Sequence, residues 1–535
     1  MRLLKPIYLS ATLALALTSC GGAKMATSYQ AITDVTNLPQ RTSALPEAQL
    51  QRWSHLDILK DTVPGMSVDR AYEELLKNRP LPKKVIVGVI DSGIEIDHDD
   101  LKNHIWTNPK EKAGNGIDDD KNGYIDDIHG WNFLGKSNHE NLEFVRVIKR
   151  GDDGSEQYKK ALEKHKEELG ELEANRERIL GMIPFDQHEI LVKHFGKEEY
   201  TIADLDAISD TASEEVKNAA KAMHPVVEKG NFSRLVGYKD YLDSQLNYHL
   251  NLDFNGRELV GDDHTDINDK IYGDNDVLGD REHAKHGTHV AGIIAQSRHN
   301  NLGGDGVASN VTEIMALRAV PDGDEYDKDI ALSIRYAADN GAKVINGSFG
   351  KYFEENSQWV RDAIKYAETK DVLIVVAAGN DAMDLNANGG VDRYPNDNIK
   401  MGPEISNNFL VVGALAPVFS DKMVSSFSNY GNYDVDVFAP GSKIYATVPN
   451  NTYEYLQGTS MASPNVAGVA ALVRAYYPEF TAGEVKKIIM DSGVPVNKEV
   501  AVGNETRNFS DISTSGKIVN AYNALLLAEK LSKKK

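Results

Sequence analysis

The sequence predicts an α/β protein, a doubly wound, mainly parallel sheet with helices on both faces, broken by a helical insertion. Three observations carry this. Apolar, β-branched runs stop at Gly or Ser in "KVIVGVIDSG" from Lys84, "AKVINGSFG" at 342–350, "VLIVVAAGN" at 372–380 and "FLVVGAL" at 409–415, the pattern of buried parallel strands ending in loops. Helical periods such as "DIALSIRYAADNG" and "QWVRDAIKYAETKD" alternate with them. Between Asp91 and His286 lie 194 residues, and much of 155–250 is charged and helical. In such sheets function gathers at the carboxyl ends of the strands.

From the N-terminus, Arg2 and Lys5 precede an apolar run from about Ile7 to Leu17, which reads as a signal peptide over 1–19. The run is too short for a permanent membrane span, and Leu17-Thr18-Ser19-Cys20 resembles the lipobox at which bacterial lipoproteins are cleaved and acylated on Cys20. The implied location is outside the cytoplasm, anchored by lipid to a bacterial membrane. Residues 20–45, rich in small and polar types, read as a tether, and order is expected to begin near Trp53. One domain is expected over 46–535, with "RWSHLDILKDTVPGMSVDRAYEELLKNRP" as an extension packed on the core. The insertion is placed at about 140–255. Within it Leu162 and Leu169 are seven apart, as are Leu172 and Ile179, which predicts an apolar stripe packed within the protein.

The net charge of -21, from 80 acidic and 59 basic residues, repels nucleic acid, which is discounted as a partner. Cys20 is the only cysteine in the chain, so its acylation would leave neither a disulfide nor a thiol nucleophile. Oligomeric state is not legible.

Four strand-end or helix-start positions carry chemistry: Asp91 in "VIDSG", His286 in "HGTHVAG", Asn380 in "VAAGN" and Ser460 in "GTSMASP". Each alone is weak. Together they supply a nucleophile, a base, a group to orient the base and an oxyanion donor, which is what acyl transfer needs.

These motifs, with "INGSFG" and "FAPGSKIYATVPN", resemble those of subtilisin-like serine peptidases in the order Asp, His, Ser, over roughly 80–135 and 255–530. The resemblance implies the subtilisin-like form of the fold and a serine endopeptidase acting on protein or peptide substrates. It makes Ser460 the nucleophile, His286 the base, Asp91 its orienting partner and Asn380 an oxyanion donor. Ser348, Phe349 and Gly350 would form an edge for substrate pairing, and Phe349 with Val376 to Gly379 would border a pocket open to large apolar or varied side chains. Pro464 is expected near the first helical turn, where its missing N–H costs least. The competing reading is a non-catalytic surface protein that uses the same fold for binding or adhesion.

His283, His286 and His289 are three apart, but zinc hydrolase helices pair histidines at i and i+4 beside a glutamate, so His289 is assigned to packing. In "NGIDDDKNGYIDDIHG", Asp118, Asp120 and Asn122 fall at calcium-loop positions one, three and five, whereas position twelve is His129. A structural calcium and a solvated acidic turn both fit. No cofactor for catalysis is expected. The acidic stretch 260–280 could also hold a cation, in no spacing that names a loop.

Overall fold

A computed structural model describes residues 29–230 and 232–535; the signal segment and Cys20 lie outside the described residues. The strands are β1 (Val85–Asp91), β2 (Gly130–Asn132), β3 (Thr312–Arg318), β4 (Val344–Gly347), β5 (Leu373–Ala377), β6 (Phe409–Leu415) and β7 (Val437–Pro440). After them come β8 (Ile444–Val448), β9 (Thr452–Leu456), β10 (Val494–Pro495), β11 (Glu499–Val502), β12 (Glu505–Asn508) and β13 (Lys517–Ile518). Nine of these form one sheet in the order β10-β13-β7-β6-β5-β4-β1-β3-β2, parallel except for the β10–β13 pair. The doubly wound α/β fold is therefore present.

Helices cover both faces, so the central strands bury both sides of the pleat. Every residue of β4, β5 and β6 is buried. Each fully buried Val, Leu or Ile contributes about 2 kcal/mol of apolar transfer before ordering costs are set against it. β1 pairs with β3 on one side and β4 on the other, with Asp91 opposite Arg318 and Ile90 opposite Gly347. The chain runs from β1 to β2 at the edge, fills the place between them with β3, then passes back beyond β1 to β4. That reversal opens a crevice beyond the carboxyl ends of β1 and β4.

The helix Thr459–Tyr476 is buried from Met461 to Ala475, as its run of Ala, Val and Gly requires, and packs across β4 to β7. Pro464 stands in its second turn rather than its first. The missing N–H frees the carbonyl of Ser460, four residues earlier, and the Ser348 hydroxyl donates to that oxygen at 2.8 Å. A buried side chain thus replaces the lost helix bond.

The N-terminal part departs from expectation. Ile32, Val35 and Leu45 are buried in the main core, and Ile32 exchanges two 2.8 Å hydrogen bonds with the side chain of Asn523. A tether reaching residue 45 is therefore corrected: apolar residues spaced too widely to show a period are packed from Ile32 onward. Further on, Trp53 donates its indole N–H to Ser442 O at 3.0 Å, and Ile58, Val63 and Met66 are buried beside it.

The segment expected as an insertion holds six α-helices among the described residues, from Glu143–Lys149 to Phe232–Ser244. It has an apolar cluster of its own around Leu191, Tyr200, Met223 and Phe232. In the long helix Glu156–Leu180 the packed stripe runs through Ala161, Leu169, Leu172 and Ile179, while Leu162 is exposed. The seven-residue spacing read from Leu162 was one position off, because Ala161 and not the larger Leu faces inward. Among the described residues no helix is long and apolar enough to cross a membrane.

Candidate active site

Asp91 ends β1, and its buried carboxylate Oδ1 accepts from His286 Nδ1 at 2.6 Å and from the Ser92 amide at 2.8 Å. His286 lies in the first turn of the helix Lys285–Ala295. Gly287 allows this approach: a Cβ there would stand 2.2 Å from Gly93 O and 3.1 Å from Asp91 Cβ. The imidazole keeps 38% of its side-chain surface exposed, so it is anchored at one edge and open at the other. Burial opposes its charged form, but the attraction and hydrogen bond of Asp91 prevail and its pKa is raised above the ordinary value.

Ser460 enters at the first turn of its helix, where amides have no preceding intrahelical acceptor. Its hydroxyl donates to Ser348 O at 3.1 Å, reciprocating the bond from Ser348 to its own carbonyl. Among the described residues the Ser460 hydroxyl makes no hydrogen bond to His286.

Asn380 follows β5 and is held by Thr459, whose N–H and hydroxyl donate to Asn380 Oδ1 at 2.8 and 3.0 Å. Thr459 Oγ1 also accepts the Gly379 amide at 3.0 Å. With the oxygen occupied, Asn380 Nδ2 is the free end, 3.6 Å from where a Gly458 Cβ would lie. Gly379 itself has φ +103°, and a Cβ there would meet Asn429 Nδ2 at 2.4 Å. Thr459 was not singled out from sequence, although it stands in the "GTS" motif.

Two lobes of cleft meet at Phe349 and Gly350. One, of about 490 Å³, contains Asp91 and His286; the other, of about 390 Å³, contains Ser460, Asn380 and Gly379. Ser348 is buried and lines the first. Phe349 borders both lobes, as does Gly350, whose added Cβ would sit 3.0 Å from Tyr394 O. The Ser460 lobe is not lined by small apolar groups alone, for Lys351 and buried Arg393 stand in its wall.

Leu142, Phe144, Lys164 and Glu168 line the same lobe, so the insertion forms part of the cleft. A buried ionic cluster fixes it there. Glu143 pairs with Arg146 at 2.5 Å and with Lys351 at 2.9 Å, Lys351 also pairs with Asp327 at 3.0 Å, and Arg146 donates to Asp324 O at 2.8 Å. Burial works against the Glu143 carboxylate, yet Arg146 and Lys351 draw its pKa down to about 2. Burial raises Glu325, in the same cluster, to about 7, with the lysine's attraction too weak to offset it. Glu143 and Arg146 are an i,i+3 pair, but their contacts to the frame, Arg146 to Asp324 O and Glu143 to Lys351, join residues 178 and 208 apart and leave no local mark.

His289 is buried and bonds to Ile444 O at 3.0 Å and Glu454 O at 3.1 Å, tying its helix to the β8–β9 hairpin. Burial lowers its pKa to about 3. In the 115–130 loop Asp118 and Asp120 accept the Asn122 amide, each at 3.1 Å, and Asn122 Oδ1 is taken by the Tyr124 amide at 2.7 Å. Asn122 Oδ1 thus already accepts one hydrogen bond, as the Asp118 and Asp120 carboxylates do, and His129 Nδ1 is engaged with Trp106 O at 2.8 Å. Glu111, outside the motif as read, brings the third carboxylate: its ligand oxygen and those of Asp118 and Asp120 lie within 4.8 Å of one another. In the 260–280 stretch the cations held by Asp262 are internal, Arg257 at 2.7 Å and Lys328 at 2.5 Å.

The profile of the subtilase family matches residues 82–514. The chain belongs to the subtilase family. It is 43% identical over 189 residues to the thermophilic serine proteinase of Bacillus sp. strain AK1, covering 35% of this chain and 42% of that protein. With thermitase of Thermoactinomyces vulgaris the identity is 39% over 220 residues, 40% of this chain and 71% of that one. With the cell wall-associated protease of Bacillus subtilis strain 168 it is 35% over 256 residues, 48% and 26%. The subtilase thus spans less than half the length of the first and third of these relatives.

Proposed function

We propose that this subtilase is a serine endopeptidase that cleaves proteins or peptides outside the cytoplasm. The observation that carries the reading is the 2.6 Å contact of Asp91 with His286 in a cleft that continues to Ser460 and Asn380. Asp91 fixes His286 with Nδ1 protonated, so Nε2 is the atom left to accept the Ser460 proton. After rotation away from Ser348 O, the Ser460 oxygen attacks a peptide carbonyl, and His286 returns the proton to the leaving amine. Asn380 Nδ2 and the Ser460 N–H donate to the oxyanion, aided by the positive end of the helix. Water then cleaves the acyl-enzyme by the same route. Phe349 and Gly350 are the segment against which substrate is paired.

Location outside the cytoplasm is supported by the signal-like N-terminus and by the cell-wall association in the name of one relative. Acylation at Cys20 would supply a membrane anchor. The test of function is a fluorophosphonate probe. Wild type is expected to be labelled, with labelling lost in Ser460→Ala and nearly lost in His286→Ala. Correctly folded wild type that stays unlabelled would favour the binding-only use of the fold.

A structural calcium ion is part of the same reading, held by Glu111, Asp118 and Asp120, whose donor set is the all-oxygen kind such ions take. One Glu111 oxygen is buried with no hydrogen-bond partner. Added calcium is expected to raise the melting temperature of chelator-treated protein, and to do so less in Glu111→Gln. Unchanged melting in wild type refutes the site.

A further inference from the structure

We propose that His139, His283 and Asp322, with His249 behind them, bind one divalent transition metal ion, zinc by preference, at the rim of the catalytic cleft. This goes beyond the peptidase reading and does not depend on it.

Four distant segments converge there. His139 precedes the insertion, and His249 closes it in the turn Gln245–His249. His283 stands three residues before His286, and Asp322 lies in the loop after β3. One ligand atom from each of His139, His283 and Asp322 falls within 4.8 Å of the other two. His139 Nδ1 is 2.9 Å from Asp322 Oδ2. Adjacent ligands around tetrahedral zinc lie about 3.3 Å apart when each bond is about 2.0 Å, so side-chain adjustments of about an ångström close the set.

Each donor is already oriented. His283 Nδ1 is engaged by Asp280 Oδ1 at 3.1 Å, which leaves Nε2 as its available ligand atom, and a carboxylate behind an imidazole is the usual support of a metal-bound histidine. The His139 ring stacks on Tyr248 with centroids 4.0 Å apart and stands edge-on to His283 at 4.8 Å. Ser244 donates to Asp322 Oδ2 at 3.0 Å. His249 is 5% exposed, and its Nε2 lies 3.1 Å from Asp322 Oδ1, which sets a second buried imidazole on the same carboxylate.

The donor types decide the ion. Imidazoles with one carboxylate suit zinc and its neighbours, whereas calcium and magnesium take oxygen. The triplet His283, His286 and His289 is not this site, because His286 is bound to Asp91 and His289 to backbone carbonyls. His283 and Asp322 both border the lobe that contains His286, so an ion there would narrow the approach to the base and pin both ends of the insertion.

The test uses the full chain, freed of metal, with zinc titrated calorimetrically and cobalt(II) followed by its visible absorption. One zinc per chain is expected, with a visible cobalt band. Both should be lost in His139→Ala/His283→Ala and in the milder His283→Gln, and kept in His194→Ala, which alters an exposed histidine elsewhere. Melting of each metal-free variant confirms that it is folded. Absence of zinc uptake by folded wild type, or uptake that survives in both site variants, overturns the proposal.

Discussion

Asp91→Asn is expected to lower kcat about ten-thousandfold, the size of effect seen when a triad aspartate becomes an amide, with folding and KM near wild type. The carboxylate is buried and accepts from His286 Nδ1 at 2.6 Å, so it selects the tautomer whose Nε2 is bare. An amide of the same shape can present N–H instead. The imidazole would then carry its proton on Nε2, where it cannot take one from Ser460. The pH dependence has a definite sign. Burial lowers the His286 pKa, while the charge and hydrogen bond of Asp91 more than reverse this and raise it. Removing the charge therefore lowers the pKa, and the acid limb of the residual activity should move to lower pH. Peptide hydrolysis followed across pH checks both points. A loss of less than tenfold, or an acid limb moved upward, refutes the role of Asp91.

Glu143→Gln is expected to destabilise the protein by about 3 kcal/mol, because breaking a buried ion pair from one side leaves the other charge uncompensated. Two buried cations, Arg146 and Lys351, converge on this carboxylate. Lys351 retains Asp327, and Arg146 lies 4.1 Å over the Tyr326 ring, which holds the loss to the lower end of the usual range. The linkage sign follows from the depressed pKa. The contribution of Glu143 is complete above its ordinary value of 4.5 and is lost as pH falls through about 2. Since Lys351 lines the Ser460 lobe, KM for peptides should rise as well. Urea unfolding at neutral pH measures the first effect, and a midpoint equal to wild type would show that the cluster contributes nothing net.

Strand-end residues were readable because a parallel strand advertises itself. β5 and β6 are continuous apolar runs and β1 is one up to Asp91, and the groups at the ends of β1 and β5 emerge at the crevice. Asp91 and Asn380 are legible in that way, whereas Ser348 follows from the resemblance of "INGSFG" to the family's motif. Thr459 was passed over because a threonine at a helix start is ordinary, and its value here comes from three bonds made across the cleft. Glu111 was missed because its neighbours in the acidic loop are set by folding rather than by a fixed interval. The inward face of the helix Glu156–Leu180 was misjudged at Leu162 because a 25-residue helix rich in Glu and Lys gives little contrast between faces. Interactions bridging the insertion and the frame, such as Arg146 with Asp324, join residues 178 apart and leave no local trace.

The side-chain amide of Asn141 donates to Tyr248 O at 2.6 Å and to Asn251 O at 3.0 Å, so the chain departs for its helical excursion and comes home at almost the same spot. Loop-closure entropy grows only logarithmically with length, by about 0.6 kcal/mol per doubling. The outer part of that lobe, which packs on its own cluster at Leu191, Tyr200, Met223 and Phe232, can accordingly change length at a small closure cost, whereas Glu143 and Arg146 at its base are tied to Lys351 and Asp324 of the frame.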